Sequence, residues 1–291
     1  MDSLVKDLPV NQEEEWTLEI KPKAGLLELH LDEVWRYRDL LWMFVKRDFV
    51  ATFKQTILGP LWFIIQPLLT TVMFMLVFTK VARIPTDGVP PAVFYLSGLS
   101  IWNYFATCLT KTSNTFTTNA AIFGKVYFPR LVVPLSTVIS CLISFGIQLG
   151  LLLVVMLYYA AKGQAVHPNE YIVLIPFLLL LVALLGLGLG IIVSSLTTKY
   201  RDLSLLVSFG VQLAMYATPV IYPLSFLSEK YKIIVALNPL APLIESFRYA
   251  LVGSGTFDPA QLVYSVIITA VVLFIGVILF NRVEKTFMDV V

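Results

Sequence analysis

Charged residues are absent from six long stretches of the chain, and those stretches set its architecture. No Asp, Glu, Lys or Arg falls between Lys54 and Lys80, Asp87 and Lys111, Arg130 and Lys162, Glu170 and Lys199, Asp202 and Glu229, or Asp258 and Arg282. Each window is at least as long as the ~20 residues a helix needs to cross ~30 Å of hydrocarbon. Six spanning helices are predicted: roughly Ile57 to Phe78, Pro91 to Thr110, Leu131 to Tyr159, Tyr171 to Leu196, Leu203 to Tyr222 and Pro259 to Phe280. A seventh apolar stretch, Ile233 to Ile244, has only 12 residues and is broken by Asn238-Pro239 and Pro242. It reads as a re-entrant or interfacial hairpin before the last span. The predicted fold class is an all-α polytopic membrane protein.

The flanking pattern divides the rest. Residues 1–31 form a polar tail, in which Trp16 to Ile20 reads as one short strand. Over 32–56 the spacing predicts a helix with Val34, Leu41, Trp42, Val45, Phe49 and Phe53 near one face and Arg36, Asp39, Lys46, Arg47 and Lys54 near another. Such a helix suits the headgroup layer, or else packs on protein. The six-span domain covers 57–282 and residues 283–291 follow it. Its loops include a polar, helix-like segment at 112–129, with Gly124 as the expected stop, and an outer hairpin at 223–258.

Composition agrees: 58% of residues are hydrophobic and 14% charged, against roughly 45–50% and 25% in soluble domains. The net charge of +2 carries no nucleic-acid signal. Orientation follows Lys and Arg. With both termini on one side, that side holds 15 of the 21 basic residues and the other holds six. Both termini are expected in the cytoplasm. The N-terminus lacks the basic region and apolar core of a signal peptide, so it is expected to stay with the mature protein.

The missing chemistry excludes several classes. No Asp, Glu, His, Lys or Arg lies inside the windows, which argues against ion-coupled transport. There is no G-x-x-x-x-G-K-S/T loop for ATP, since Gly124-Lys125 is followed by Val126. No catalytic constellation or metal cluster is visible, and none is predicted. Cys108 and Cys141 read as small buried residues. What remains is neutral polarity at four-residue spacing: Trp62, Gln66 and Thr70 in span one, and Ser204, Ser208, Gln212 and Tyr216 in span five. Such faces either line a conduit for a hydroxyl-rich substrate or hydrogen-bond between helices. Gly186, Gly190 and Ser194, and Gly146 and Gly150, read as packing seams. Glu245 and Arg248 read as an ion pair of a short outer helix, or as part of a gate.

Five motifs in order carry a resemblance. They are Arg47-Asp48-Phe49 with Lys54-Gln55-Thr56-Ile57-Leu58-Gly59-Pro60-Leu61-Trp62 and Gln66-Pro67; Phe123-Gly-Lys-Val-Tyr-Phe-Pro-Arg130 with Pro134; Tyr200-Arg201-Asp202; Thr218-Pro219-Val220-Ile221-Tyr222; and Asn238-Pro239-Leu240. Together they resemble ABC-2 type permeases that export O-antigen, capsular polysaccharide and teichoic acid, over about residues 30–285. Many members carry Tyr where Phe53 stands. The resemblance implies a non-enzymatic permease of the bacterial cytoplasmic membrane that moves a lipid-linked glycan. It implies a homodimer paired with two ATP-binding subunits, which bind the ATP and Mg. It implies a conduit of Trp62, Gln66, Thr70, Ser208, Gln212 and Tyr216. It implies coupling through Phe116, Asn119, Phe123 and Lys125, and an outer gate of Tyr222, Asn238, Pro239, Glu245 and Arg248. Two alternatives stay open: a permease for a small lipid or drug, with a more apolar conduit, and a non-transport membrane scaffold.

Overall fold

The structure, a computed structural model, describes residues 31–290 apart from Gln55, Gly124, Tyr127, Ala165, Lys199 and Arg201. The short strand expected in the N-terminal tail and the helix stop expected at Gly124 lie outside the described residues. Every regular element among the described residues is helical.

The helix expected over 32–56 is two helices, α1 (Leu31–Arg36) and α2 (Arg38–Phe53), separated at Tyr37. Only part of the expected apolar face is covered. Val34, Tyr37, Leu40, Leu41 and Phe44 pack on the core and Val45 is buried, and α2 lies against α6 (Val132–Ala161). Trp42 and Phe49 are exposed, with Trp35. These three stand seven residues apart, on a second apolar face that a 3.6-residue period separates from the packed one.

A 3₁₀ turn at Gly59–Leu61 leads into α3 (Trp62–Phe74), which contains Pro67 and continues as a π-helical stretch, Met75–Val81. Next come α4 (Pro91–Ser113), the short α5 (Thr115–Phe123) and α6 (Val132–Ala161). A 3₁₀ turn, Glu170–Leu174, opens α7 (Ile175–Thr197). Then follow α8 (Leu203–Tyr216), α9 (Glu229–Ala236), α10 (Leu240–Val252) and α11 (Pro259–Val290). Proline stands in the first turn of α4 and α7 and opens α11, where its missing N–H is no loss.

Five stretches are long and apolar enough to cross a membrane: Gly59–Val81, Pro91–Ser113, Val132–Ala161, Glu170–Thr197 and Pro259–Val283. The fifth predicted span is not among them. Its window folds as α8, 14 residues or about 21 Å long, followed by turns over 217–222. Pro219 and Pro223 cannot donate to a continuing helix. The Thr218 hydroxyl donates back to the Ala214 carbonyl at 2.7 Å.

The core is built around α4, which is buried along most of its length and packs on α6, α7, α3 and α10. Close approach is set by glycine. A Cβ on Gly186 would lie 2.9 Å from Cys108 Cβ, and one on Gly190 would lie 2.5 Å from Thr112 Cβ. The Gly186–Gly190 seam therefore holds α7 on α4. A second seam joins α7 to α11, where a Cβ on Gly276 would meet the Gly188 carbonyl at 2.9 Å. Gly146 and Gly150, expected to form a seam, have nothing within 4 Å of a Cβ position and pack nothing. Cys108 and Cys141 are buried free thiols, as expected.

Candidate functional site

The polar stripes of spans one and five are on the surface of the single chain. α3 packs on α4 and α6, while α8 packs on α7 and α4. Trp62 is 51% exposed and Tyr216 50%. Gln66, Ser208 and Gln212 are exposed and Thr70 is half-buried. Two of the hydroxyls are satisfied within their own helices: Thr70 Oγ1 donates to the Gln66 carbonyl at 2.9 Å and Ser208 Oγ to the Ser204 carbonyl at 3.0 Å. The carboxamides of Gln66 and Gln212 have no partner among the described residues. An amide facing hydrocarbon without a hydrogen bond costs roughly 4–8 kcal/mol. A face carrying such groups needs water or protein against it.

The broken end of α8 is held by the hairpin of α9 and α10. Arg248 and Glu245, on α10, are 0% and 1% exposed. The two form the expected i,i+3 ion pair within one short helix, and the pair is a core element. Arg248 Nη1 donates to Glu245 Oε1 at 2.8 Å, and Nη2 donates to the Pro219 carbonyl at 3.0 Å. The guanidinium lies 3.9 Å from the Phe94 ring centroid. Gly98 makes room for it, since a Cβ there would stand 2.8 Å from Nη2. Glu245 Oε2 accepts the Thr256 N–H at 3.2 Å. Gly253 closes α10 in the left-handed region, at φ 77°, which favours glycine.

The hairpin tip is tied down on three sides. Asn238 Nδ2 donates to Thr218 Oγ1 at 2.8 Å, and its Oδ1 accepts the Leu240 N–H at 3.0 Å. From α11, Tyr264 Oη donates to the Leu237 carbonyl and Ser265 Oγ to the Pro239 carbonyl. Tyr222 is half-buried and packs on the core. By contrast α9 is largely exposed, with Tyr231, Ile233 and Ile234 outward. Of the expected gate residues, Glu245 and Arg248 are therefore anchors, while Asn238 and Pro239 sit at the turn. Sequence reading missed their partners Phe94, Gly98 and Thr218; the only signal was glycine in a long apolar span.

The expected coupling residues turn out to be mostly inward. Phe116 is fully buried and stacks on Phe280 of α11 at 4.8 Å. Asn119 is buried and donates to the Thr115 carbonyl. Phe123 is 5% exposed, packed on Phe116 and Phe128, with the Arg130 guanidinium over its ring. Phe123 thus faces inward: the aromatics at 116 and 123 share the side of α5 that seals against the bundle. The outward residues are Thr117, Thr118, Ala121, Lys125 and Val126, the last 59% exposed.

Comparison with known proteins gives the family. Residues 39–252 match the family described as ABC-2 type transporter. The chain is 30% identical over 255 residues to the O-antigen export system permease protein RfbA of Klebsiella pneumoniae, covering 87% of this chain and 95% of that protein. It is 32% identical over 219 residues to a protein of the same name from Myxococcus xanthus, covering 74% and 81%. It is 22% identical over 240 residues to the polysialic acid transport protein KpsM of Escherichia coli, covering 82% and 91%. The match runs from α2 to the end of α10 over a bundle of membrane-length helices, and the chain belongs to the ABC-2 type transporter membrane family.

Proposed function

We propose that the chain is the permease subunit of an ATP-driven exporter that moves a lipid-linked polysaccharide across the bacterial cytoplasmic membrane. It works as two copies with two separate ATP-binding subunits, which bind ATP and Mg and do the hydrolysis, and both its termini are cytoplasmic. The relatives named for O-antigen and polysialic acid transport support the cargo class. The observation that carries the proposal is the unpartnered amide pair, Gln66 on α3 and Gln212 on α8, on exposed faces of apolar helices. A second copy covering those faces turns them into the wall of a wet conduit. Amides and hydroxyls exchange hydrogen bonds with a sugar chain, and Trp62 and Tyr216 offer rings to stack on it.

The remaining parts follow from the packing. α5 is the coupling element: its inner aromatics bind it to α11, and its outer face of Thr117 and Ala121, with Lys125 and Val126 just after the helix, meets the ATP-binding subunit. The hairpin is the outer lip. Its tip bonds to residues five and six positions into α11, about 9 Å along that helix, which supports a re-entrant placement. In that arrangement α10 is the fixed half and α9 the mobile half.

Cysteine accessibility tests the conduit. Gln66→Cys and Gln212→Cys should each react with a membrane-impermeant thiol reagent in at least one transport state. If both stay unreactive throughout the ATP cycle, the stripes are packed and the conduit lies elsewhere.

A further inference from the structure

Between α2, the last turn of α4, α5 and the start of α6 the chain forms an open pocket of about 450 Å³. Its charged lining is Arg47, Asp48 and Lys111. Arg47 is already neutralised: its Nε and Nη2 are held by Asp48 Oδ1 at 3.0 and 2.8 Å, and the guanidinium lies 4.6 Å from the Phe44 ring centroid. Lys111 has no ion pair among the described residues. The lining therefore carries one uncompensated positive charge. Around it stand the hydroxyls of Thr110 and Thr118, neither with a partner among the described residues, and the Asn114 carboxamide. A narrower cleft shares Asp48 and Lys111 and continues along α6 past Ser140 and Ser144, so the polar wall runs on from the pocket mouth along a spanning helix.

The place of the pocket selects its ligand. Lys111 is in the last turn of a spanning helix, and α2 beside it exposes Trp42 and Phe49, the residue types that sit at headgroup level. A compact ammonium ringed by hydroxyl donors at that level suits a phosphate ester. We infer that this pocket binds the phosphate of a lipid headgroup in the cytoplasmic leaflet, with Lys111 as counter-charge and Thr110 and Thr118 as donors. The ligand is either a bulk phospholipid or the phosphate that joins a transported glycan to its lipid. The placement rests on the orientation proposed above.

Photo-crosslinking tests it in membranes that contain the full chain and its ATP-binding subunits. A photoreactive phenylalanine analogue replaces Ala51, which gives the pocket wall only a methyl group, in cells grown on radiophosphate. Illumination should attach labelled lipid to the chain. Lys111→Gln should cut the yield about three- to fivefold, as for one partly solvated ion pair of about 0.7–1 kcal/mol. The same probe at Val154, on an exposed face of α6, should give a yield that Lys111→Gln leaves unchanged, which also shows that the variant is folded. Blocking glycan-lipid synthesis separates the sources: an adduct that persists is bulk phospholipid, and one that disappears is the cargo. A yield insensitive to Lys111→Gln, or an adduct to the ATP-binding subunit in place of lipid, overturns the site. Transport is not the readout, so loss of the adduct leaves the export proposal standing, and a permease for another cargo would still form the phospholipid adduct.

Discussion

Replacing Arg248 alone should do more harm than removing its whole ion pair. Arg248→Met leaves the Glu245 carboxylate fully buried with one remaining backbone donor, Thr256 N–H at 3.2 Å. Breaking a buried pair from one side costs about 3–5 kcal/mol. The Pro219 carbonyl, which accepted at 3.0 Å, loses its donor and adds about 1 kcal/mol. The single variant is therefore destabilised by roughly 4–6 kcal/mol. Glu245→Met combined with Arg248→Met removes both charges in favour of apolar groups of similar length, which is close to neutral for the pair itself. Only the tethers to Pro219 and Thr256 are then lost, about 1–2 kcal/mol together. The single variant should thus be less stable than the double by on the order of 3–4 kcal/mol. Thermal unfolding of the detergent-solubilised chain, read as the loss of a monodisperse size-exclusion peak, measures it. At about 2–4 °C per kcal/mol, the single variant should fall roughly 8–24 °C and the double variant roughly 2–8 °C. A single variant as stable as the parent would contradict the burial of the pair. A double variant no better than the single would show that the stranded carboxylate is not the source of the cost.

The glycines of α6 and α7 should part company: Gly190→Leu should abolish the folded peak, because a Cβ already meets Thr112 Cβ at 2.5 Å, whereas Gly150→Ala should raise the unfolding midpoint through about 0.5–1 kcal/mol of helix propensity. On α5, Phe123→Asp buries an unpaired charge and should lower the folded yield of the permease itself. Val126→Asp, on the exposed side, should leave that yield intact and reduce co-purification of the ATP-binding subunit; equal co-purification by parent and variant would move the coupling contact off this face. The purified chain alone should show no ATP hydrolysis, since its sequence has no phosphate-cradling loop, and activity from a preparation proven free of other subunits would refute this.

Charge-free length was a sufficient signal for five of the six predicted spans, because hydrocarbon thickness imposes a simple rule on each. It failed for α8. The window from Leu203 to Ser228 is long enough, but its second half is turns held by tertiary bonds from Arg248 and Asn238, which no local pattern reveals. The break in the hairpin was legible, because Asn238-Pro239 is a local signal. Burial direction was less so. Phe123 was expected at the coupling contact on a polar segment, yet its partners Phe116, Phe128 and Arg130 close over it from the same loop. Trp42 and Phe49 were grouped with Leu41 and Val45 on one apolar face of the helix, but two apolar faces are present and only contact with α6 tells which one is covered. The polar stripes on α3 and α8 were placed correctly on their helices. What covers them is a matter of assembly, which the spacing of four residues cannot encode. The polar side of α6, from Thr137 through Ser140 and Ser144 to Gln148, was available at the same spacing and was passed over. There Gln148 Oε1 accepts from Asn103 Nδ2 at 3.2 Å.

The most direct test of the export proposal is reconstitution. The chain and its ATP-binding subunits are placed in vesicles whose outer leaflet holds a labelled lipid-linked polysaccharide, and protection of the label from an external glycan hydrolase is followed after ATP is added. Label should become protected only when both subunits and ATP are present, and Gln66→Leu or Gln212→Leu should slow its protection while leaving the complex assembled. Protection without ATP, or ATP-driven movement of a small lipid or drug while the polysaccharide stays outside, would contradict the account.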